Sequence, residues 1–352
     1  METAVLRTYS APLVGIAILV VGGVYGATSE SAANLVAMTA VWALMACGWN
    51  IISGYAGPIS LGQAAFFGIT AFITTVLFAK WNVTPYLGLI VGLVVSLLLA
   101  TVIGLVTLRL SGLYFTLATL TIPLIMATLT RYFGYHEVAR PYVGESLAYF
   151  QFNGSLAYYV VAAVLVAGAL LFTARLEGTR TGRYFVAIRE NERAAEASGV
   201  PTFRYKFVAF LLGSVFASLA GWVYSQLSFV FSPDEVYNPI VSVQALLIVL
   251  IGGPGTVLGP LVGALLVIPL GEFTAVYFSQ LPGLNELMYA IVLLVVAFWS
   301  RRGLYPLLVG GARVLWIRLR PAGERPVKTP AVTDDAAQEG AARDSAEVGR
   351  ST

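Results

Sequence analysis

Side chains capable of covalent or metal chemistry are scarce in this sequence. The single cysteine, Cys47, lies inside an apolar run, and the single histidine, His136, has no Cys or His neighbour. A disulfide needs a second cysteine and a zinc site needs more Cys or His ligands than the chain has, and Cys47 and His136 have no Cys or His neighbour, so we expect neither of these sites nor a cysteine–histidine catalytic pair. No clustered His, Asp or Cys residues are present to act as a base, nucleophile or metal ligand. We therefore predict a protein that is not an enzyme and that holds no cofactor or metal of its own.

Two segments are rich in glycine and proline, residues 53–63 and residues 252–260. Glycine-rich loops bind phosphate groups in many proteins, but the nucleotide-binding P-loop ends in Gly-Lys followed by Ser or Thr. The dipeptide Gly-Lys occurs nowhere in the chain. The two segments are therefore not predicted to bind ATP by that route.

The elements around these segments are apolar enough to cross a membrane. Hydrophobic residues make up 58% of the 352 residues and charged residues 11%, whereas an ordinary soluble domain has about 25% charged residues. A membrane-spanning helix needs about 20 mostly apolar residues. We predict an all-α polytopic membrane protein of about ten transmembrane helices, some of them broken or re-entrant. The candidate spans are 12–28, 34–53, 64–79, 84–107, 112–130, 156–175, 207–229, 241–256, 259–279 and 286–300.

Lysine and arginine orient the predicted spans, because cytoplasmic loops carry an excess of them. With the N-terminus in the cytoplasm, all 21 basic residues except Lys80, Arg131 and Arg140 lie on the cytoplasmic side. This distribution predicts that both termini are cytoplasmic. Residues 1–320 form the predicted transmembrane domain, and the stretch 321–352, which lacks apolar periodicity, is predicted to be a disordered cytoplasmic tail.

The two Gly/Pro segments interrupt the apolar pattern next to predicted spans. Such residues are tolerated at membrane depth only where the freed backbone groups are buried in protein or line a wet cavity. Paired interruptions in the two halves of a transporter point to the permeation site. We therefore predict that both segments belong to a translocation pathway, with tight cytoplasmic turns as the alternative. The candidate residues are Gly54, Gly57, Pro58, Gly62, Gln63, Gly252, Gly253 and Gly255.

One carboxylate, Glu272, falls well inside a predicted span, and Glu286 lies at the edge of the last one. Ionisable residues within the membrane often mark ion-coupled transport. A secondary transporter that couples uptake to an ion through Glu272 is therefore an alternative hypothesis, beside a structural or interfacial role for this side chain. Asp234 and Glu235 fall in a predicted external loop, where we expect them to be solvated.

The only large cytoplasmic loop, residues 175–206, contains signals for a short helix. Asn191 is a suitable N-cap, Glu192 complements the positive end of the helix dipole, and Gly199 with Pro201 stops the helix. These signals predict a helix of about two turns from Glu192 to Ser198.

This predicted helix is suited to docking on a soluble partner. Its alanines, Ala194, Ala195 and Ala197, allow close approach to a groove, and charged neighbours set the orientation. An amphipathic helix lying on anionic lipid is the alternative, but it favours larger apolar residues than alanine. The charged neighbours are Arg189, Arg193 and Glu196.

The loop sequence from Thr181 to Pro201, followed by residues 204–210, closely resembles the cytoplasmic loop of branched-chain amino acid permeases of ATP-binding-cassette importers. Three further segments are similar to that family, residues 48–63, 108–115 and 252–264, and the resemblance covers roughly residues 34–300. The first of them adds Asn50 to the candidate pathway residues.

The resemblance implies a permease of the bacterial inner membrane. Its implied partners are a second homologous permease, two ATPase subunits that bind the ATP, a periplasmic solute-binding protein and membrane lipid, with no nucleic acid. Ala194, Ala195 and Gly199 match the family's Ala-Ala-x-x-x-Gly coupling element, and Arg193 stands where other importers commonly have Glu. The implied ATPase-coupling residues are Glu192, Arg193, Ala194, Ala195, Glu196 and Gly199.

Two segments depart from the family's pattern. Residues 131–145 differ in the loop after the fifth span, and the fifth span contains Thr121-Ile-Pro123 where small residues are more usual. Both lie towards the predicted outward side, where the solute enters. The implied substrates are amino acids, branched-chain or related small amphipathic solutes such as amides.

Overall fold

A computed structural model describes residues 2–278 of the chain, together with five isolated positions between 287 and 304. The predicted tenth span and the predicted tail 321–352 lie outside the continuously described range. Within that range the chain forms helices and one two-stranded sheet. The elements are α1 (Glu2–Gly26), α2 (Glu30–Trp49), a π-helix (Asn50–Tyr55), α3 (Gln63–Trp81), α4 (Pro85–Thr107), α5 (Leu113–Tyr132), β1 (Val138–Ala139), α6 (Ser155–Gly178), α7 (Arg180–Glu190), α8 (Glu192–Ala197), α9 (Thr202–Leu227), β2 (Val230–Phe231), α10 (Pro233–Val236), α11 (Pro239–Gly252) and α12 (Gly259–Phe278).

Eight helical segments in the described part are long and apolar enough to cross a membrane. The first runs without a break from Glu30 to Tyr55, so it joins α2 to the π-helix. A shorter apolar helix, Ala11–Gly26, coincides with the first predicted span. The chain is therefore an all-α polytopic membrane protein, as predicted, while the count of ten spans and the placement of the termini stay predictions.

The central helices of the bundle are α2, α3 and α9. Of the 18-residue apolar window in the segment Glu30–Tyr55, 83% is buried, against 22% in α4. Helix α3 packs against α4 and α9, and α2 packs against α6, α9 and α12. The outer helices keep large apolar side chains exposed, as expected of surfaces that face lipid.

Small residues let α3 and α4 approach closely. A Cβ placed on Gly88 of α4 would lie 3.0 Å from the Cα of Thr74, and a Cβ on Gly92 would lie 3.2 Å from the Cα of Thr70. In lipid, where hydrophobicity does not draw helices together, such close backbone contact is a main source of helix association.

The two ends of the bundle differ. Helices α7 and α8 lie at one end, which we call the α7–α8 end. The opposite end carries the segments 133–154 and 228–238, joined by antiparallel pairing of β1 with β2, Val138 opposite Phe231. There the buried guanidinium of Arg140 lies 5.1 Å from the ring centre of Phe229 and 5.7 Å from that of Tyr158.

Candidate functional site

The second helix of the chain changes its hydrogen-bonding pattern before it ends. Residues Asn50 to Tyr55 form a π-helix, and all six are buried. Short π-helical segments within α-helices are rare and frequently occur at functional sites. The hydroxyl of Tyr55 donates to Oε1 of Glu177 over 2.5 Å, which ties the end of the π-helix to the end of α6 beside the 175–206 loop.

The Asn50 side chain joins the two Gly/Pro segments. Its Nδ2 donates to the carbonyl oxygen of Thr256 over 2.9 Å, and its Oδ1 accepts from the backbone N–H of Gly255 over 2.8 Å. The partners are more than 200 positions apart in sequence. The absence of a side chain at Gly54 allows this contact, because a Cβ there would lie 2.8 Å from the nitrogen of Gly255.

The first Gly/Pro segment continues from the π-helix as an irregular loop held by side chains. Ser53 Oγ donates to the carbonyl oxygen of Pro58 over 2.9 Å and accepts from the N–H of Ser60 over 3.2 Å. The indole N–H of Trp49 donates to the carbonyl oxygen of Ser60 over 2.8 Å. These bonds satisfy backbone groups that no helix pairs, which is the condition for irregular chain inside a membrane bundle.

Arg189, the penultimate residue of α7, contacts both segments. Its Nη1 donates to the carbonyl oxygen of Gly54 over 2.7 Å, and its Nη2 pairs with Glu190 over 2.9 Å. Gly57 has a φ of +103°, and a Cβ there would lie 3.1 Å from the Cα of Arg189. A Cβ on Gly255, whose φ is +69°, would meet the Arg189 guanidinium. The sequence suggested Arg189 as a residue that orients a partner, whereas the structure places its guanidinium inside the chain's own contact network.

Helix α8 agrees closely with its prediction. It spans Glu192–Ala197, one residue shorter than expected, and Asn191 caps it by accepting from the N–H of Ala194 over 3.1 Å. The N–H of Gly199, at a φ of +82°, donates to Glu196 O over 2.9 Å, and the N–H of Val200 donates to Ala195 O over 3.0 Å. This pair of bonds is a Schellman motif, which favours glycine at the left-handed position.

The three alanines of α8 do not share one exposed face. Ala195 is only 6% exposed and packs inside the chain, whereas Ala194 and Ala197, one turn apart, are exposed. Residue 195 lies about 100° around the helix from residue 194, so it turns towards the bundle when residue 194 faces outwards. The prediction that Ala195 belongs to the exposed docking face is therefore wrong.

The two glutamates of α8 hold the helix to the start of α9. Glu192 pairs with Lys206 over 2.5 Å, and Glu196 accepts from the hydroxyl of Thr202 over 2.5 Å. Within the described residues the exposed Arg193 side chain has no hydrogen-bond or ion-pair partner. The outward face of α8 thus consists of Arg193, Ala194 and Ala197.

Gly62 and Gln63 lie where the first segment enters α3. A Cβ on Gly62 would lie 3.1 Å from the carbonyl oxygen of Thr119 on α5. Gln63 is fully buried, and neither its Nε2 nor its Oε1 has a hydrogen-bond partner. A buried amide without hydrogen-bond partners is energetically costly, and such groups are uncommon in folded proteins.

Gly252 and Gly253 end α11, four residues before the predicted end of the eighth span. Gly253 has a φ of +125° and precedes Pro254, which disfavours continuation of the helix. A Cβ on Gly252 would lie 2.6 Å from the carbonyl carbon of Gly259 and 2.9 Å from the nitrogen of Gly263. Gly252 therefore lets α11 and α12 pack closely, next to the contact of Gly255 with Asn50.

Glu272 lines a cavity of about 400 Å³ that Glu235 also lines. Asp234 and Glu235 are exposed, as expected, and each also has a side-chain partner on another helix. Asp234 pairs with Arg131 over 2.6 Å, and Glu235 accepts a short hydrogen bond from the hydroxyl of Tyr224. Sequence spacing does not predict these contacts, because each joins two separate helices.

No group of three or more His, Cys, Asp or Glu residues that could hold a metal ion occurs in the described part of the chain.

A helical membrane bundle in which two irregular segments meet is an architecture that many transport proteins share. The family model described as "Branched-chain amino acid transport system / permease component" matches residues 31–297, and the chain belongs to this family. The resemblance identified from the sequence motifs is thereby confirmed. With its apolar helices, the chain is a multi-pass protein of the inner membrane.

Several relatives are similar over most of the chain. The high-affinity branched-chain amino acid transport system permease protein LivM of Salmonella typhimurium is 24% identical over 311 residues, which cover 79% of this chain and 71% of LivM. The xylose/arabinose import permease protein XylH of Sulfolobus acidocaldarius is 25% identical, over 71% of this chain and 73% of XylH. The autoinducer 2 import system permease protein LsrC of Yersinia pseudotuberculosis is 29% identical, over 67% of this chain and 66% of LsrC. No solved structure matches the chain.

Proposed function

We propose that this chain is the permease subunit of an ATP-binding-cassette importer that carries amino acids, branched-chain or related amphipathic solutes such as amides, across the bacterial inner membrane. The observation that carries the proposal is the hydrogen bond of Arg189 to Gly54 O over 2.7 Å. Through Arg189, a displacement of α7 and α8 reaches both irregular segments at once. The chain itself is a transport subunit without enzymatic activity.

The proposed topology has ten spans, with both termini, the α7–α8 end and the tail 321–352 in the cytoplasm. The distribution of basic residues supports it. Lys80, Arg131 and Arg140 lie at the end opposite α7 and α8, whereas the other basic residues between positions 11 and 276 lie at or near the α7–α8 end. Cytoplasmic loops carry such an excess of Lys and Arg.

The proposed assembly contains this chain, a second homologous permease, two ATPase subunits and a periplasmic solute-binding protein. ATP binds to the ATPase subunits, and this chain holds no cofactor and contacts no nucleic acid. The family description "permease component" and the import systems named for XylH and LsrC support a multi-subunit importer. The exposed face of α8, with Arg193, Ala194 and Ala197, is the proposed docking site for an ATPase subunit.

In this mechanism, ATP binding closes the ATPase subunits and moves α8. Glu192 and Glu196 bind α8 to α9, and Arg189 links α7 to Gly54, so the movement is passed to the bundle. The segments 53–63 and 252–260, joined by Asn50, then change their positions together and switch access across the bilayer. The proposed pathway residues are those predicted from the sequence, Asn50, Gly54, Gly57, Pro58, Gly62, Gln63, Gly252, Gly253 and Gly255.

The test is purification of the tagged full-length chain from its own membranes without overexpressed partners. We expect an ATPase and a second permease to be recovered with it. Proteoliposomes of the recovered complex should take up labelled leucine only with ATP and the solute-binding protein. Recovery of the chain alone, together with uptake that needs no ATP, would refute the proposal.

A second candidate function is a secondary transporter that couples uptake to an ion through Glu272. It is favoured by one observation, that Glu272 lines a cavity and its carboxylate has no hydrogen-bond or ion-pair partner in the described part of the chain. Ionophores that collapse the proton and sodium gradients at constant ATP distinguish the two functions. Uptake persists in the proposed importer and stops in a secondary transporter.

A further inference from the structure

The cavity beside Glu272 has an unusual combination of walls. Its volume is about 400 Å³, within the range of small-molecule sites, and it lies in the half of the bundle away from α7 and α8. Glu272 on α12 and Glu235 on α10 supply two carboxylates, and Gln244 on α11 supplies an amide. Among the residues that the structure describes, no Lys, Arg or His lines the cavity. The charge presented to a ligand is therefore negative.

Three aromatic rings from three central helices form a continuous wall of the same cavity. Trp42 of α2 stacks on Phe67 of α3, with ring centres 6.4 Å apart and planes 19° from parallel. Phe67 contacts Tyr224 of α9, with ring centres 5.1 Å apart. Ring faces carry negative electrostatic potential and attract organic cations, most strongly when water is excluded.

In the described part of the chain, no cationic side chain pairs with either carboxylate. Asp234, next to Glu235, takes the neighbouring Arg131 as its ion-pair partner, so this guanidinium is not available to Glu235. Tyr224 orients Glu235 by donating a hydrogen bond to Oε1, which leaves the second oxygen for another partner. Glu272 lies within the candidate span Gly259–Val276, and carboxylates within a membrane normally pair with a positive group or face a pathway.

We propose that this cavity binds the ammonium group of the transported solute, with Glu235 and Glu272 as its counter-charges and Trp42, Phe67 and Tyr224 as its aromatic wall. The inference rests on the proposed transport function and names the substrate class as solutes that carry a protonated amine. Hard cations such as Ca²⁺ and Mg²⁺ need about six or more oxygen ligands, which this aromatic wall does not supply. Neutral polyols would leave both carboxylates uncompensated.

The next polar group along α3 from this cavity is the side chain of Gln63. Gln63 lies four residues before Phe67, so it is on the same face of α3, one helical turn nearer to the Gly/Pro segments. Its amide is fully buried and has no hydrogen-bond partner. Gln63 is thus the nearest polar side chain on this face of α3 beyond Phe67, although it does not itself line the cavity.

The test is a direct binding measurement on the full-length chain in nanodiscs of phosphatidylglycerol, which contain no lipid ammonium. The probes are leucinamide, which has an ammonium group, 4-methylpentanamide, which lacks it, and xylose. We expect leucinamide alone to give a saturable rise in the unfolding temperature. Glu272→Gln and Glu235→Gln should each raise its half-saturating concentration by about tenfold, because each removes a charge-assisted contact. Trp42→Leu, which keeps both charges, should also weaken binding.

Glu137→Gln is the matched control, because Glu137 is an exposed glutamate at the same end that does not line the cavity. Equal binding of leucinamide by the wild type and both Glu→Gln variants would overturn the proposal. Binding of 4-methylpentanamide or xylose as tight as that of leucinamide would do so as well. If sodium chloride alone reproduced the shift, or if phosphatidylethanolamine nanodiscs abolished it, the occupant would be an inorganic ion or a lipid headgroup rather than a solute.

The binding measurement needs neither ATP nor a partner subunit, so its outcome is separate from that of the importer test. If the chain bound leucinamide through Glu235 and Glu272 but no ATPase co-purified with it, the ammonium site would stand and the importer proposal would be refuted. If the ATPase co-purified but the Glu→Gln variants bound leucinamide normally, the importer proposal would stand and the ammonium site would be refuted.

Discussion

Arg189 donates a hydrogen bond from Nη1 to the carbonyl oxygen of Gly54 over 2.7 Å and thereby fastens α7 to the π-helix at the end of the second span. The residue that follows α7, Asn191, begins α8 as its N-cap. One turn before Gly54, Asn50 holds the second Gly/Pro segment. A single guanidinium therefore connects the proposed docking helix with both halves of the proposed pathway.

Arg189→Met should uncouple the proposed importer. The substitution keeps most of the apolar stem but removes the charged hydrogen bond, a contact of about 1.5–3 kcal/mol. In proteoliposomes containing the recovered complex, we expect ATP hydrolysis to continue while leucine uptake per ATP falls by about tenfold. Arg180→Met, at an exposed position of the same helix, should leave the ratio unchanged. A normal ratio in Arg189→Met would show that α7 does not transmit motion through this bond.

Asn50→Leu should destabilise the chain itself. The change leaves the N–H of Gly255 and the carbonyl oxygen of Thr256 without their side-chain partner, at a cost of about 1–3 kcal/mol. The measurement is the midpoint of thermal unfolding in detergent, with the exposed Asn153→Leu as the control. If Asn50→Leu and Asn153→Leu had the same unfolding midpoint, the Asn50 side chain would not hold the segments together.

The local features of the loop could be predicted from sequence because their signals are short-range. Asn191, Gly199 and Pro201 lie within a few residues of the helix that they delimit, and the observed helix differs from its prediction by one residue. The apolar spans were predictable for the same reason, since each is a continuous run. The predicted spans 34–53 and 112–130 correspond to the helical segments Glu30–Tyr55 and Leu113–Tyr132.

The contacts of the site could not be predicted because they join residues that are distant in sequence. Arg189 and Gly54 are 135 positions apart, and Asn50 and Thr256 are 206 apart. The side of α8 on which Ala195 lies depends on how the helix packs against the bundle, which spacing alone does not determine. The sequence indicated that both Gly/Pro segments matter, and the folded chain shows the hydrogen bonds that join them.

Gly199→Ala should loosen the end of α8 without a steric clash. No atom lies within 4 Å of a Cβ at this position, so the cost arises from the φ of +82° and amounts to about 1 kcal/mol. Hydrogen exchange of the backbone amides at positions 199 and 200, which form the Schellman motif, should be faster in the variant than in the wild type. Gly178→Ala is a matched control, since its Cβ also meets no neighbour while its φ is unexceptional. If the amides at positions 199 and 200 exchanged at the same rate in Gly199→Ala and Gly178→Ala, the left-handed backbone at position 199 would not require glycine.

Enlarging the exposed alanines of α8 should block the proposed ATPase contact while the chain stays folded. Ala194→Tyr and Ala197→Tyr add bulk to a solvent-facing surface, so their unfolding midpoints should match the wild type, but co-purification of the ATPase should fall by about tenfold or more. Ala195→Tyr, at a buried position, should instead lower the unfolding midpoint, because overpacking a close contact costs about 1–3 kcal/mol. Arg180→Tyr, exposed on α7, controls for added bulk on the same loop. Full ATPase recovery with both exposed variants would place the docking surface elsewhere.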